Sequence, residues 1–241
     1  NGTLNFSTQV TNNASGFITG EGTSAIRFED GLDNSGSLIL TFSTSTVFGN
    51  IVNNPTGLVS LAGNSTASFI GDVSNNGQLY VGSGSHAVFG GHTSGSGSFP
   101  GSGTVEFVDG FSPGSSPAEV SFGGDVVLGP SSATLMELSG TEPGEYDRLL
   151  VAGVLDVAGG LEIELLDDFI PTLDDAFQIF EVTDLLGTFS SVLLPELSGN
   201  LSWDHSHLYS SGTLSVIPEP ASTLLTGISL IGLLRLRRQR R

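Results

Sequence analysis

The sequence predicts an all-β protein, a right-handed parallel β-helix or solenoid with coils of about 20 residues. Three observations support this fold. Glycines recur at a nearly fixed spacing, apolar residues form columns at even offsets from those glycines, and helical periodicity is nearly absent before residue 221. A β-sandwich also has alternating strands, but it does not require columns at a fixed period.

The repeat is marked by five glycines at spacings of 20, 21, 20 and 20 residues: Gly16, Gly36, Gly57, Gly77 and Gly97. Two residues after each glycine come Ile18, Leu38, Val59, Leu79 and Phe99. Four residues after come Gly20, Leu40, Leu61, Val81 and Gly101. In the first four repeats, offset twelve carries Phe28, Phe48, Phe69 and Phe89, and offset sixteen carries Leu32, Val52, Val73 and Thr93. Because side chains two residues apart share a strand face, we expect one internal ladder of four phenylalanine rings, with Val47 pointing outward.

The turns before the repeat glycines are rich in asparagine and aspartate: Asn12-Asn13, Asp33-Asn34, Asn53-Asn54 and Asn75-Asn76. Asparagine tolerates positive φ where a coil bends, and its amide has both a donor and an acceptor. We therefore expect these side chains to hydrogen-bond from one coil to the next.

The segment 111–217 lacks the fixed period but keeps strand-like stretches. The predicted strands are Val120–Leu128, Ala133–Leu138, Asp147–Val157, Leu161–Leu166, Phe177–Val182 and Leu214–Ile217. The stretches Tyr146–Gly153, Gly159–Ile163 and Gly187–Phe189 resemble recurring strands in the C-terminal part of autotransporter-like passenger and envelope repeat proteins. That resemblance implies either continued β-helix coils or a β-rich cap. The chain thus divides into 1–110 (solenoid repeats), 111–217 (continued solenoid or cap) and 218–241 (tail).

The tail begins with Pro218-Glu219-Pro220 and continues as an apolar run over 221–234. Five arginines follow: Arg235, Arg237, Arg238, Arg240 and Arg241. This order resembles the PEP-CTERM sorting signal of Gram-negative envelope proteins. The resemblance implies recognition of the proline-glutamate-proline motif by the membrane protease-transpeptidase exosortase, a membrane helix over 221–234 and an arginine membrane stop. An ordinary C-terminal anchor behind a proline-rich linker is the alternative.

A run of fourteen residues is marginal for a permanent anchor, since it makes a helix of roughly 21 Å against a bilayer core of ~30 Å. The resemblance therefore implies a bacterial envelope protein that is exported, held transiently in the inner membrane and then moved to the cell surface or the extracellular space. The sequence that begins at Asn1 shows neither the basic region nor the apolar region of a signal peptide, so we expect a mature form or a fragment.

Charge excludes one class of partner. Residues 1–217 contain 24 acidic side chains against Arg27 and Arg148, and the chain has no lysine. Such a surface repels nucleic acid phosphates. The chain also has no cysteine, so an exported form has no disulfides and its stability must come from a hydrogen-bonded scaffold.

No catalytic residue and no metal ligand is predicted. On a strand, His205 and His207 would share one face beside Asp204, but a zinc site needs a third or fourth ligand. The acidic pairs Asp167-Asp168 and Asp174-Asp175 flank Ile170-Pro171 and offer carboxylates to Ca²⁺. They match no known calcium loop, and we interpret them as solvated turn acids.

Three hypotheses for function remain. The first is a noncatalytic cell-surface or extracellular-matrix protein for biofilm or adhesion, with exosortase, exopolysaccharide or other matrix components as partners. The second is a carbohydrate-active β-helix enzyme, a polysaccharide lyase or glycoside hydrolase, which needs convergent carboxylates in a cleft. The third is an ice-binding solenoid, which needs a regular outward threonine array. We favour the first, because acids are sparse among the coils and the outward columns are mixed.

Overall fold

The computed structural model describes residues 2–22, 24–42 and 44–219. These residues form an all-β parallel solenoid of about 6 turns. Pro220, the apolar run 221–234 and the five arginines lie outside the described residues. None of the helical segments in the described part of the chain has the length and apolar character of a bilayer-crossing helix.

Each coil contributes one strand to each of three faces. The first face contains β1 (Gly2–Phe6), β4 (Ser24–Phe28), β7 (Thr44–Phe48), β10 (Thr66–Phe69), β13 (His86–Phe89), β15 (Thr104–Phe107) and β18 (Asp125–Leu128). The second contains β2 (Val10–Asn12), β5 (Leu32–Asn34), β8 (Ile51–Asn53), β11 (Val73–Asn75), β14 (His92–Gly95), β16 (Gly110–Pro113), β19 (Ala133–Leu138), β21 (Gly160–Leu165) and β24 (Ser191–Leu193). The third contains β3 (Phe17–Glu21), β6 (Ser37–Thr41), β9 (Leu58–Ala62), β12 (Gln78–Val81) and, further along, β17 (Glu119–Phe122).

Parallel pairing continues beyond residue 110. The long strands β20 (Arg148–Val157) and β23 (Phe180–Gly187) each run across the third and first faces without a corner. The structure ends in a small antiparallel sheet of β22 (Ala176–Gln178), β26 (Thr213–Pro218) and β25 (Leu201–Asp204), with the short helix α1 (Leu208–Ser211). This end unit, which we call the cap, turns a parallel stack into antiparallel pairing.

The columns of the third face match the prediction. Ile18 pairs with Leu38, Leu38 with Val59 and Val59 with Leu79. The next column pairs Gly20, Leu40, Leu61 and Val81 in the same order. Leu38, Leu40, Val59, Leu61, Leu79 and Val81 are fully buried, so the predicted inward face is confirmed for these strands.

The predicted ladder of four phenylalanines is wrong in the second repeat. Val47, not Phe48, is fully buried and pairs with Phe69. Phe48 points outward, where the Arg27 guanidinium carbon lies 3.9 Å from the centre of its ring. Ile51 likewise replaces Val52 in the core, and Val52 is 42% exposed.

The error comes from two corners whose lengths compensate. In the second coil, the corner between Leu40 and Val47 is one residue shorter than the matching corner between Leu61 and Phe69. Because side chains alternate along a strand, a shift of one residue exchanges inside and outside. The loop after Asn53 then has two residues more than the loop after Asn34, so the glycine spacing of this coil is 21 residues and differs by only one from that of the others.

Among the described residues, the phenylalanine rings of the first face form two separate stacks instead of one ladder. Phe6 and Phe28 stack at 5.2 Å, whereas Phe69, Phe89 and Phe107 stack at 4.9 and 5.3 Å between successive centres. Phe99, Phe111 and Phe122 pack around Phe107 and close the core of the later coils. Buried aromatic area of this size dominates the stability of such a core.

The predicted asparagine contacts are confirmed as a continuous ladder inside one corner. Asn12 donates from Nδ2 to Asn34 Oδ1 at 2.7 Å, Asn34 to Asn53 at 2.8 Å, and Asn53 to Asn75 at 2.8 Å. The Nδ2 atoms of all four asparagines, Asn75 included, also donate to backbone carbonyls, those of Ser37, Leu58, Gln78 and Ser98. The ladder ends where Gly95 follows Asn75 in the column.

Candidate functional site

The candidate site is the C-terminal edge of the cap, where the proline-glutamate motif begins. β26 is the central strand of the cap, with β22 on one edge and β25 on the other. Its apolar residues Leu214 and Val216 are fully buried, which fixes the strand on the core. Pro218 and Glu219 are exposed at its end. The motif therefore starts inside a folded sheet, without an intervening linker.

Hydrogen bonds hold the end of β26 differently on its two edges. On the β22 edge, the Asp174 N–H donates to the Val216 carbonyl at 3.0 Å and the Val216 N–H donates to the Asp175 carbonyl at 2.8 Å. Pro218, two residues after Val216, has no N–H, so it donates no hydrogen bond on the β22 edge of β26. On the β25 edge, Leu201 pairs with Pro218, and the Glu219 N–H donates to the Asn200 carbonyl at 2.8 Å.

The position of Pro218 suits this register. The bond between Glu219 and Asn200 marks a hydrogen-bonded position, so Leu201 and Pro218 face each other at a non-hydrogen-bonded one. A missing donor costs nothing there. Up to Glu219, the chain at the end of β26 is therefore attached to β25.

The partner strand β25 is anchored by an indole. Trp203 lies 5.8 Å from Phe177, ring centre to ring centre, and its Nε1 donates to the Pro195 carbonyl at 2.9 Å. Phe177 is fully buried in β22. One aromatic contact thus links the two strands that flank β26.

The acidic pairs beside the cap lie in turns, as predicted. Asp167, Asp168 and Asp174 have positive φ, and Asp175 Oδ2 accepts the Thr172 N–H at 2.6 Å. In this arrangement the carboxylate of Asp175 closes its own turn. Among the described residues, no group of three or more histidine, cysteine, aspartate or glutamate side chains could hold a metal ion.

The histidines next to the cap are not on a strand. β25 ends at Asp204, His205 is exposed, and His207 precedes α1. The Asp204 carboxylate accepts the Ser206 N–H at 2.8 Å, and this hydrogen bond holds the pKa of Asp204 below its usual value. The placement of His205 and His207 on one face required a strand, and this turn is not a strand.

Two charged residues at the start of β20 were missed by the sequence analysis. Arg148 bonds Glu119 at 2.9 Å and Glu181 at 2.7 Å, and so connects three successive strands. Asp147 beside it is fully buried, and its two carboxylate oxygens accept the Ala118 N–H at 2.6 Å and the Glu137 N–H at 2.9 Å. Only the unusual position of both residues within an apolar strand was a signal in the sequence.

Burial raises the pKa of Asp147 to about 7, although its two backbone hydrogen bonds act in the opposite direction. The nearby Glu137 carboxylate raises it further. Asp147 ties the loop before β17 to β19, and we assign it a structural role.

A scan against protein-family models finds no match to this chain, and a search of curated proteins finds no relative.

Proposed function

We propose that this protein is a noncatalytic structural component of the bacterial cell surface or extracellular matrix, sorted by exosortase. Pro218, Glu219 and Pro220 are the recognition motif, 221–234 is the membrane segment, and the five tail arginines stop transfer. Exopolysaccharide or other matrix components are the partners of the exported domain. The coils are right-handed, as crossover connections between parallel strands nearly always are.

The observation that carries this proposal is the order of parts at the end of the chain. Glu219 is exposed immediately after the last strand, and an apolar run and a basic cluster follow in the sequence. A protease at the membrane surface meets one acidic side chain between two prolines, next to a folded domain. The arginines favour the cytoplasmic side of the membrane.

The solenoid supports a structural role. Each coil contacts only its neighbours, so such a fold makes an elongated body with large lateral faces. Residues 111–219 contain 18 acidic side chains and one arginine, and this surplus attracts cations and hydrated, cation-bearing matrix. Adhesion to a matrix needs such extended surfaces and no reaction centre.

The test is the mass of the protein recovered from the cell exterior. Processing predicts a form without the C-terminal arginines. Glu219→Ala should leave export intact and make the membrane-retained precursor accumulate, whereas Glu196→Ala, another exposed carboxylate near the cap, should be processed normally. An exported wild-type protein that still ends at Arg241 would refute processing and leave the tail as a plain anchor.

A further inference from the structure

The cap brings the sorting motif into direct contact with a folded sheet, and this limits which peptide bonds a protease can reach. A protease binds its substrate as an extended segment, and the backbone groups of that segment must be free to pair with the enzyme. In β26, Ser215 pairs with strands on both sides, and Val216 pairs with β25 and exchanges two backbone hydrogen bonds with the turn before β22. Their backbone is therefore already paired on both edges.

The three residues that follow are held on one edge alone. Ile217 pairs with Ser202, Pro218 with Leu201, and the Glu219 N–H donates to Asn200. Releasing them means separating them from β25, and separating the strand further removes Val216 and Leu214 from the core. The accessible chain thus begins at the end of this pairing, at Glu219.

We propose that the cap sets the N-terminal limit of processing: the peptide bond that is cut lies on the C-terminal side of Glu219, and the cap stays folded during the cut. This inference rests on the proposed sorting function. When the peptide bond is cut, its carbonyl carbon loses the bond to nitrogen and forms a new bond to the oxygen of water or to the nitrogen of an amine. The released nitrogen takes a proton from that water or amine.

Limited digestion of the purified full-length chain with proteinase K, a protease of broad specificity, tests the limit without exosortase. The stable fragment should end at Glu219 or later, as measured by intact mass. Fragments that end at Pro218 or earlier under the same conditions would overturn the proposal.

A pair of Trp203 variants tests whether β25 is responsible. Trp203→Ala removes the contact with Phe177 and the hydrogen bond to Pro195, so the digestion boundary should move upstream into β26. Trp203→Phe keeps an aromatic ring and should keep the wild-type boundary. The same boundary in all three proteins would show that β25 does not set the limit, and the wild-type digest decides the matter if Trp203→Ala does not fold.

The processed surface form separates this inference from the function on which it rests. A C-terminal residue at Glu219 or later supports both. A C-terminus at Pro218 or earlier means that sorting occurs while the cap opens, and this inference is then wrong. Retention of Arg241 contradicts the proposed function, and in that case the proteinase K boundary still decides whether the cap protects the chain up to Glu219.

Discussion

Replacing Asn53 with alanine removes the centre of the asparagine ladder. The fully buried Asn53 amide accepts a hydrogen bond from Asn34 and donates to Asn75 Oδ1 and to the Gln78 carbonyl. A net value of about 0.5–1.5 kcal/mol for each of three hydrogen bonds gives an expected loss of roughly 2–4 kcal/mol in the free energy of unfolding. Asn34 and Asn75 are themselves fully buried and lose their partner, so we expect the upper half of that range.

Urea unfolding, followed by circular dichroism, measures this loss as a lower midpoint at an unchanged slope. Asn76→Ala is the matched control. Its side chain is half-buried, donates at 3.4 Å to Ser74 and accepts the Ser96 N–H at 3.4 Å; because both hydrogen bonds are long, its removal should cost less than about 1 kcal/mol. Equal losses for Asn53→Ala and Asn76→Ala would refute the assignment of stability to the ladder.

Three further expectations concern other sites. Val47→Ala should cost about 2 kcal/mol, because it opens a cavity in the core, and Phe48→Ala should cost about 1 kcal/mol or less, since its half-buried ring lies outside the core and chiefly meets Arg27; denaturant melts in which Phe48→Ala costs more would reverse this assignment. The pKa of Asp147 is raised from 3.8 to about 7, so the folded state holds the proton of Asp147 more tightly than the unfolded state does. The stability that this proton contributes is complete below pH 3.8 and is lost as the pH rises through 7, and the loss in the free energy of unfolding is about 4 kcal/mol. Unfolding free energies measured from pH 4 to 8 should therefore fall less steeply in Asp147→Asn than in wild type, and identical slopes would contradict the assignment. Arg148→Met should lower stability more at low salt than at high salt, since it leaves two glutamates without their shared partner; a loss independent of salt would indicate packing alone.

The repeat in the sequence predicted the solenoid but not every register. The columns predicted at offsets two and four are confirmed because the glycine from which they are counted directly precedes the third-face strand, as Gly36 precedes β6. Offset twelve failed at Phe48 because a corner of different length lies between it and Gly36. Glycine spacing sums the lengths of all corners in a coil, so a corner one residue shorter and a loop two residues longer appear in it only as one extra residue.

The candidate site was predicted in part for a related reason. The motif at Pro218 and the adjacent strand were visible in the local sequence. The bond from Glu219 to Asn200 and the support from Trp203 were not, because they join segments that only the antiparallel turn of the cap brings together. The bridge from Arg148 to two glutamates likewise spans 29 and 33 residues of chain and needs the register of three coils.

The asparagine ladder also has a mechanical consequence. Tension along the solenoid axis loads the interfaces between coils in series, and each interface can open separately. At one interface, the side-chain hydrogen bond and the strand pairing share the load. Each of the first three interfaces is reinforced by one hydrogen bond between asparagine side chains. At the next interface Gly95 takes the place of an asparagine opposite Asn75, so this reinforcement ends and the later interfaces rely on aromatic packing. A hydrogen bond yields over a short extension, while packed rings keep contact as they slide. A stretched molecule should therefore show stiff, brittle ruptures in its first coils and softer, more gradual yielding towards the cap.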